Sequence, residues 1–252
     1  MAKLSIDLNC DMGESYGRFQ IGNDQAVFPL ITSSNIACGF HGGDPLHLEN
    51  TISMAIAHNT RIGAHPSYPD LMGFGRQKMQ IPFPQLKALV KYQVAALKGL
   101  VESQGAQLAY VKPHGALYNS IAKDPKEAQV VLEAIQEIDP HLQLMGLAGS
   151  HLADLAAQMN IRFIAEAFAD RKYESDGHLV ARDKAGSVLQ NPQEIADQVL
   201  SIVRDQQVST LDQTLVSLRA DSICIHGDNP MVLPILEAIT NTLTKHAITI
   251  GN

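Results

Sequence analysis

Seven short apolar segments, each ending in polar residues, are the feature that most constrains the fold of this chain. They span residues 4–11, 32–41, 61–65, 108–115, 142–149, 162–171 and 222–228. In the first segment Asp7, Asn9 and Asp11 would share one face of a strand and apolar residues the other, because side chains alternate along a strand. Polar groups gathered on one face, and repeated at several strand ends, indicate the rim of an active site.

The stretches between these segments have the signatures of helices. Four begin with Asp or Asn followed by proline. The Asp or Asn side chain can cap the free N–H groups of the first turn, and the proline at the next position has no N–H that needs a partner. The four pairs are Asp44-Pro45, Asp124-Pro125, Asn191-Pro192 and Asn229-Pro230, and apolar residues at helical spacing follow them. The longest candidate helix runs from about Pro84 to Ser103, and a shorter one is expected to be capped by Ser150.

Alternating strands and helices predict parallel strands with right-handed crossovers. With 252 residues, 45% of them hydrophobic, the chain can bury a large core, and we expect one domain over residues 1–252. Seven strands favour an irregular seven-stranded (β/α) barrel; an open doubly wound sheet is the alternative, since pattern alone does not decide closure. Residues 169–191 are predicted to form a long βα loop and 208–218 a small hairpin. Long loops inside a compact domain are often functional.

The composition argues against several classes of partner. The net charge is −7 and the 19 Lys and Arg residues are scattered, which disfavours nucleic acid and anionic membrane surfaces. Cys10, Cys38 and Cys224 lie far apart without CxxC spacing, so we predict buried or lumen-facing thiols rather than disulfides. No secretory leader or membrane-length apolar stretch is visible, and a cytoplasmic protein is expected. GFGRQK (73–78) lacks the third glycine of a dinucleotide loop, and no P-loop occurs.

In parallel α/β folds the reactive side chains collect at the C-terminal ends of the strands. That rule selects Asp7, Asn9, Asp11, Glu14, His41, Asp44, His65, Lys112, His114, Glu166, Asp170, Arg171, His226 and Asp228. Structural roles are the alternative for some of them. Asp44 is interpreted first as a helix cap, and His41 lies among glycines that suit a tight turn. Asp228 could have only a structural role, supporting the loop before the Asn229-Pro230 cap.

Three chemical roles suit this set of residues. Carboxylate and histidine pairs could hold a divalent metal that activates water, with Asp11, His41 and His65 as the candidate ligands, although no HExxH signature is present. The same groups without metal could act as general base and acid. Lys112 or Arg171 could bind a carboxylate or phosphate, or offset developing negative charge. No GxSxG nucleophile elbow occurs.

Six motifs, in order along almost the whole chain, resemble the LamB/YcsF family. They are DLNCDMGE (7–14), SNIACGFHGGDP (34–45), GAHPSYPDLMGFGR (63–76), VKPHGALYN (111–119), EAFADRKY (166–173) and HGDNP (226–230). Two positions depart from the usual family pattern. Gly42 stands where the family usually has alanine, which a turn should tolerate. Gln77 stands where it usually has arginine, which puts an anion-binding role there in doubt.

The resemblance implies a barrel of the glycoside hydrolase and polysaccharide deacetylase type. It also implies cleavage of 5-oxoproline to L-glutamate with ATP as co-substrate, in a complex with 5-oxoprolinase subunits B and C. Catalysis is then expected from Asp7, Asp11, Glu14, His41, His65, His114 and Glu166, and substrate binding from Asn9, Lys112, Asp170, Arg171, His226 and Asp228. A stand-alone metal-dependent deacetylase and a non-catalytic 5-oxoproline-binding subunit are the alternatives.

Overall fold

Seven parallel strands close into a barrel in the computed structural model, which describes residues 4–182 and 184–251. The barrel strands are β1 (Ser5–Met12), β2 (Ser33–Ala37), β3 (Arg61–His65), β4 (Leu108–Val111), β5 (Gln143–Leu147), β6 (Phe163–Phe168) and β9 (Ser222–Ile225). Three short strands lie outside the ring: β7 (Gln207–Ser209) and β8 (Leu215–Ser217), which pair with each other, and β10 (Thr249–Ile250), which pairs with β1. Strands β1 to β6 pair in chain order, and β9 pairs with both β6 and β1, which closes the ring. The predicted seven-stranded barrel is confirmed, and the open sheet is excluded.

Helices surround the barrel; six of them lie where the sequence predicts a helix, and two, α1 and α4, were not predicted. They are α1 (Asp24–Val27), α2 (Pro45–Ala57), α3 (Phe83–Ser103), α4 (Gly115–Ile121), α5 (Pro125–Ile138), α6 (Leu152–Gln158), α7 (Pro192–Leu200) and α8 (Val232–Lys245). The side chains of Asp44, Asp124 and Asn191 each accept two backbone N–H groups at the start of α2, α5 and α7. These three predicted caps are confirmed.

Two predicted helix starts are wrong, each because the capping side chain serves a turn instead. The Ser150 hydroxyl donates to the Leu147 carbonyl at 2.6 Å, and the N-cap position of α6 is His151, without a side-chain cap. Asn229 accepts the Met231 N–H at 2.9 Å within a turn, and α8 begins only at Val232. A short polar side chain can satisfy turn and helix amides alike, so the sequence motif does not separate the two.

Polar and apolar faces of β1 separate as predicted. Ile6, Leu8 and Cys10 are buried in the apolar layer that the barrel shares with the helices. Burying a side chain as large as isoleucine or leucine stabilises the folded state by about 1.5–3 kcal/mol. Asn9, on the alternate face, is fully buried in hydrogen bonds with side chains of other strands. Asn9 is therefore part of a buried polar network, separate from the main apolar core.

The predicted hairpin and long loop are both present. Strands β7 and β8 pair antiparallel, with Val208 opposite Val216. The segment after β6 is tied to α7 through Gln198, whose side-chain amide donates to the Ala169 carbonyl at 2.8 Å. It is tied to the hairpin through the N–H of Leu211, which donates to the carbonyl of buried Tyr173 at 2.8 Å. Hydrogen bonds thus join the long loop to both α7 and the hairpin.

The three cysteines are free and buried, as predicted from their spacing. Burial raises the pKa of Cys38 to about 12 and the pKa of Cys224 well above its usual value, so these thiols are protonated at neutral pH. In the portion of the chain that the structure describes, no helix has the length and apolar character needed to cross a bilayer.

Candidate active site

A cavity of about 1010 Å³ opens where the barrel strands end and the βα loops begin. Its lining comes from the ends of every barrel strand except β2, together with residues of the long loop after β6. Eight of the side chains selected from the sequence line it: Asp11, Glu14, His65, Lys112, His114, Arg171, His226 and Asp228. The strand-end rule therefore locates one common site from residues far apart in the chain.

Lys112 is the centre of the cavity floor, and its ammonium is almost completely buried. Its Nζ lies 2.9 Å from Asp11 Oδ1 and 2.7 Å from Glu166 Oε1, and it donates to Cys224 Sγ at 3.1 Å. Burial acts to lower the pKa of Lys112, but Asp11 and its other anionic neighbours hold it well above the usual value. Burial acts to raise the pKa of Asp11, but His65 and Lys112 hold it well below. Both groups are consequently charged at neutral pH.

An amide network behind the floor fixes the Asp11 carboxylate. Asn35 Nδ2 donates to Asp11 Oδ1 and to Asn9 Oδ1, both at 2.8 Å, and the Tyr110 hydroxyl donates to Asn35 Oδ1 at 2.7 Å. Lys112 donates to Asn9 Oδ1 at 3.2 Å. Sequence reasoning missed Asn35 and Tyr110. Three consecutive polar residues, Ser33-Ser34-Asn35, inside a buried strand indicate hydrogen-bond partners on neighbouring strands, because buried polar groups are nearly always paired.

Three histidines and Glu14 form a second group beside the floor, here called the histidine cluster: Glu14, His41, His65 and His114. Glu14 Oε1 lies 3.1 Å from His41 Nε2 and 3.5 Å from His114 Nδ1. His65 Nε2 lies 2.9 Å from His114 Nδ1 and 3.4 Å from Asp11 Oδ1. The His41 and His114 rings stack 3.7 Å apart. Within this cluster, His41 alone is outside the cavity lining; it lies behind Glu14.

Burial dominates the electrostatics of the histidine cluster. It lowers the pKa of His41 and of His114 well below the usual value, and the neighbouring imidazoles lower both further. Burial, with the charge of Asp11, raises the pKa of Glu14 well above its usual range. The stacked histidine pair is consequently neutral at pH 7, which fits a face-to-face contact that two imidazolium ions would not make. At Gly42 a Cβ would lie 2.6 Å from the Glu14 carbonyl oxygen, so the family's alanine requires a small backbone shift here.

The loop after β3 packs against the histidine cluster. Phe74 and Gly75 both have left-handed backbone, with φ of 55° and 65°. The Phe74 carbonyl accepts from His114 Nε2 at 2.8 Å, and a Cβ on Gly75 would lie 2.7 Å from the His114 ring. The next residue, Arg76, lines the cavity and pairs with Asp228, whereas Gln77 is exposed. The arginine that reaches the cavity is therefore Arg76, so glutamine at position 77 leaves this cation in place.

A carboxylate–histidine dyad stands on the opposite side of the cavity. His226 Nδ1 lies 2.8 Å and 3.0 Å from the two oxygens of Asp170, and its ring stacks on Phe168. Burial acts to raise the pKa of Asp170, but His226 holds it below the usual value, so Asp170 accepts and Nδ1 carries the proton. A ring nitrogen of His226 also lies within 4.8 Å of an Asp11 oxygen. An imidazole oriented in this way is suited to proton transfer.

Comparison with known proteins agrees with this architecture. The family model described as LamB/YcsF family matches residues 6–252. The chain belongs to the LamB/YcsF family. It is 49% identical over 246 residues to a Bordetella parapertussis protein named as the A subunit of 5-oxoprolinase, with 98% of each chain covered. The crystal structure of a lactam utilization protein from Thermus thermophilus has a TM-score of 0.93 at 38% identity, covering 98% of this chain and 99% of that one.

A more distant likeness shows the fold alone. The family 4 carbohydrate esterase from Streptomyces lividans, solved in complex with acetate, has a TM-score of 0.53 at 10% identity, covering 100% of this chain and 94% of the esterase. The predicted deacetylase-type barrel is confirmed by this likeness together with the closed sheet.

Some selected residues of this LamB/YcsF chain lie away from the cavity surface. Asp7 is buried four residues before Asp11, and its carboxylate accepts from the hydroxyls of Ser33 and Ser222. Asp44 caps α2 and accepts the Gly17 N–H at 2.8 Å. Glu166 is fully buried and contacts the ammonium of Lys112 from behind the cavity surface. Asp170 acts on the site through His226, and Asn9 through Lys112 and Asn35.

Chemically, the site of this family member combines three functions around one volume. The histidine cluster supplies nitrogen and oxygen donors that a metal ion could use. Lys112 and Arg171 supply positive charge, and burial lowers the pKa of Arg171 to about 10, which leaves it cationic at pH 7. The dyad supplies an oriented proton carrier. This combination suits hydrolysis of a small anionic substrate.

Proposed function

We propose that this chain is the lactam-opening component of an ATP-dependent 5-oxoprolinase that cleaves 5-oxoproline to L-glutamate with partner subunits B and C. The geometric observation that supports it most is that the Asp170–His226 dyad and the buried Asp11–Lys112 pair share one cavity. The substrate is inferred from the Bordetella relative, a protein named as part of 5-oxoprolinase, which matches this chain over nearly its whole length.

The lactam ring explains why both ATP and a water-activating site are needed. A five-membered lactam is an unstrained amide with a poor leaving group, so the first step transfers the terminal phosphoryl group to the amide oxygen and releases ADP. Water then adds to the ring carbon, the C–N bond breaks, and the nitrogen takes up a proton. The acyl phosphate that remains reacts with a second water to give glutamate and inorganic phosphate.

We assign residues to these steps from their positions. Asp11, ionised and held by Asn35, lies where it can accept a proton from the attacking water. His226, oriented by Asp170, donates the proton to the departing nitrogen. Lys112 offsets the negative charge that develops on oxygen, and Arg171 with Arg76 binds the substrate carboxylate or the phosphate.

We further propose that the partner subunits carry out the phosphorylation, because the sequence lacks a recognisable nucleotide loop. The test compares the isolated chain with the chain plus subunits B and C, each supplied with ATP and 5-oxoproline, and follows glutamate and phosphate. We expect turnover only in the complete mixture. Full turnover by the isolated chain would refute the division of labour.

A second candidate is a stand-alone metal-dependent deacetylase, favoured by the esterase-like fold and by the donor set of the histidine cluster. It would release acetate from a small amide or N-acetyl sugar without ATP. A third is a subunit that only binds 5-oxoproline for its partners. His226→Asn in the assembled complex separates the third from the first, because retained binding with lost turnover places catalysis in this chain.

A further inference from the structure

We propose that Glu14, His65 and His114 bind one divalent transition-metal ion, with an open coordination position that faces the cavity. The three side chains all line the cavity and come from the ends of β1, β3 and β4. Two imidazoles and one carboxylate are a donor set that suits zinc, cobalt or ferrous iron rather than magnesium or calcium.

The hydrogen bonds of the two histidines carry the argument. His65 Nδ1 lies 2.6 Å from the Lys112 carbonyl oxygen, and His114 Nε2 lies 2.8 Å from the Phe74 carbonyl oxygen. A carbonyl oxygen only accepts, so each of these nitrogens carries a hydrogen. If neither ring carries a second proton, the other two nitrogens, His65 Nε2 and His114 Nδ1, present lone pairs to each other at 2.9 Å. Two lone pairs at that distance need a cation between them, either a proton or a metal ion.

The surroundings favour the metal ion. Glu14 Oε1 adds a third donor atom 3.5 Å from His114 Nδ1. With bonds of about 2.1 Å, the donor atoms of a tetrahedral zinc site lie roughly 3.4 Å apart. The Glu14–His114 spacing of 3.5 Å matches this value, and the two histidine nitrogens at 2.9 Å would separate by about half an ångström to admit the ion. Metal-bound histidines usually donate their second N–H to a carbonyl or carboxylate, as both rings do here.

The other candidate ligands are engaged elsewhere. Asp11 Oδ1, the oxygen that lies 3.4 Å from His65 Nε2, already accepts from Lys112 at 2.9 Å and from Asn35 at 2.8 Å. His41 lies face to face on His114, so a metal in the plane of the His114 ring cannot also lie in the plane of His41. Its Nε2 instead contacts Glu14 Oε1 at 3.1 Å, where it positions the carboxylate. The proposed ligand set therefore differs from the Asp11, His41 and His65 set expected from sequence.

The test measures binding directly and needs no turnover, so its outcome is separate from that of the proposed 5-oxoprolinase activity. The full chain, purified without a histidine tag, is analysed for metal by mass spectrometry, stripped with a chelator, and titrated with Co²⁺ while visible absorption is followed. We expect about one equivalent per chain and the intense absorption of a low-coordinate cobalt site. X-ray absorption should count two imidazoles.

Matched variants distinguish ligands from neighbours. His114→Gln and Glu14→Gln should each lower cobalt affinity by more than about 100-fold, and His41→Gln by about 10- to 100-fold as expected for a supporting contact. His151→Gln removes another cavity-lining histidine and should leave affinity unchanged. If a ligand variant fails to fold, the wild-type titration and absorption data still decide.

The rival arrangement is a proton shared by His65 and His114. A wild-type chain that stays metal-free and gives no cobalt signal would overturn the proposal. Stoichiometric cobalt binding that survives both the His114 and the Glu14 substitution would overturn it equally, because the ion would then lie elsewhere.

Discussion

Replacing Lys112 with methionine should destabilise the protein strongly while preserving its shape. The substitution leaves the Asp11 and Glu166 carboxylates buried without the ammonium that lies 2.9 Å and 2.7 Å from them. At an effective dielectric constant of about 20, each such contact is worth roughly 6 kcal/mol before desolvation is subtracted. Removing one partner of a buried ion pair costs about 3–5 kcal/mol net.

The assay is urea unfolding followed by circular dichroism. With an m value of about 3 kcal/mol/M, the loss predicts a midpoint lower by about 1–1.7 M at pH 7.5. Lys91→Met, which removes an exposed ion pair with Glu137, is the matched control and should leave the midpoint within error. The double substitution Lys112→Met with Glu166→Gln should recover part of the loss, because one uncompensated charge is gone.

The loss should also depend on pH, with a sign fixed by Asp11. In the wild type the pKa of folded Asp11 is lowered, so its stabilising contribution is present above the unfolded pKa of about 3.9 and is lost as pH falls through the folded value. Without Lys112 one of the groups that lower this pKa is gone while His65 remains, so the pKa of folded Asp11 is higher in the variant than in the wild type and the stability gap between the two should narrow as the pH falls from 7.5 to 5. An unchanged midpoint, or a gap that widens on acidification, would refute the ion-pair account.

Three further predictions test the packing, the dyad and the long loop. Gly63→Ala places a Cβ 2.1 Å from the Tyr110 ring and should lower the free energy of unfolding by about 1–3 kcal/mol or more, whereas Gly99→Ala in the open middle of α3 should raise it by about 0.5–1 kcal/mol. Equal melting curves would contradict the tight contact. In the proposed 5-oxoprolinase complex, His226→Asn should reduce kcat about 10²- to 10⁴-fold with 5-oxoproline binding retained in calorimetry, and unchanged turnover would refute the proposed role of the dyad. Shortening the 169–191 loop should impair activity or assembly while circular dichroism stays that of the folded barrel; full activity would exclude a lid or docking role.

Much of the fold could be predicted because strand and helix signals are local. The strict alternation in β1 and the Asp-Pro and Asn-Pro pairs at the start of α2, α5 and α7 are confirmed at the residues that carried them. The Ser150 cap was wrong because the hydroxyl bonds a strand-end carbonyl, a choice that depends on three-dimensional contacts. Barrel closure is decided by the pairing of β9 with both β6 and β1, which no local pattern contains.

The site was predictable as a location and less so as a set of roles. The strand-end rule correctly predicted that Asp11, His65, Lys112 and His114 line one cavity, but it also placed Asp7 there. Alternation along a strand indicates which face a side chain lies on, but not how far along the barrel axis it lies. No sequence pattern indicates that His226 is oriented by Asp170, fifty-six residues earlier. Which nitrogen of a histidine carries its proton depends on carbonyls of other segments, and no spacing rule contains that information.

Closure of the ring by β9 has a consequence for how the protein is made. Asn9 on β1 is hydrogen-bonded to Ser222, 213 positions later in the chain. A ribosome therefore adds 213 residues after Asn9 before the first strand can meet its second barrel neighbour, and contacts of such long sequence separation form slowly. Until then one edge of β1 is unpaired and Lys112 lacks the Cys224 sulfur beside it. The cavity should be complete only once β9 has paired, so a chain that stalls before β9 forms presents an unpaired strand edge to chaperones or to other copies of itself.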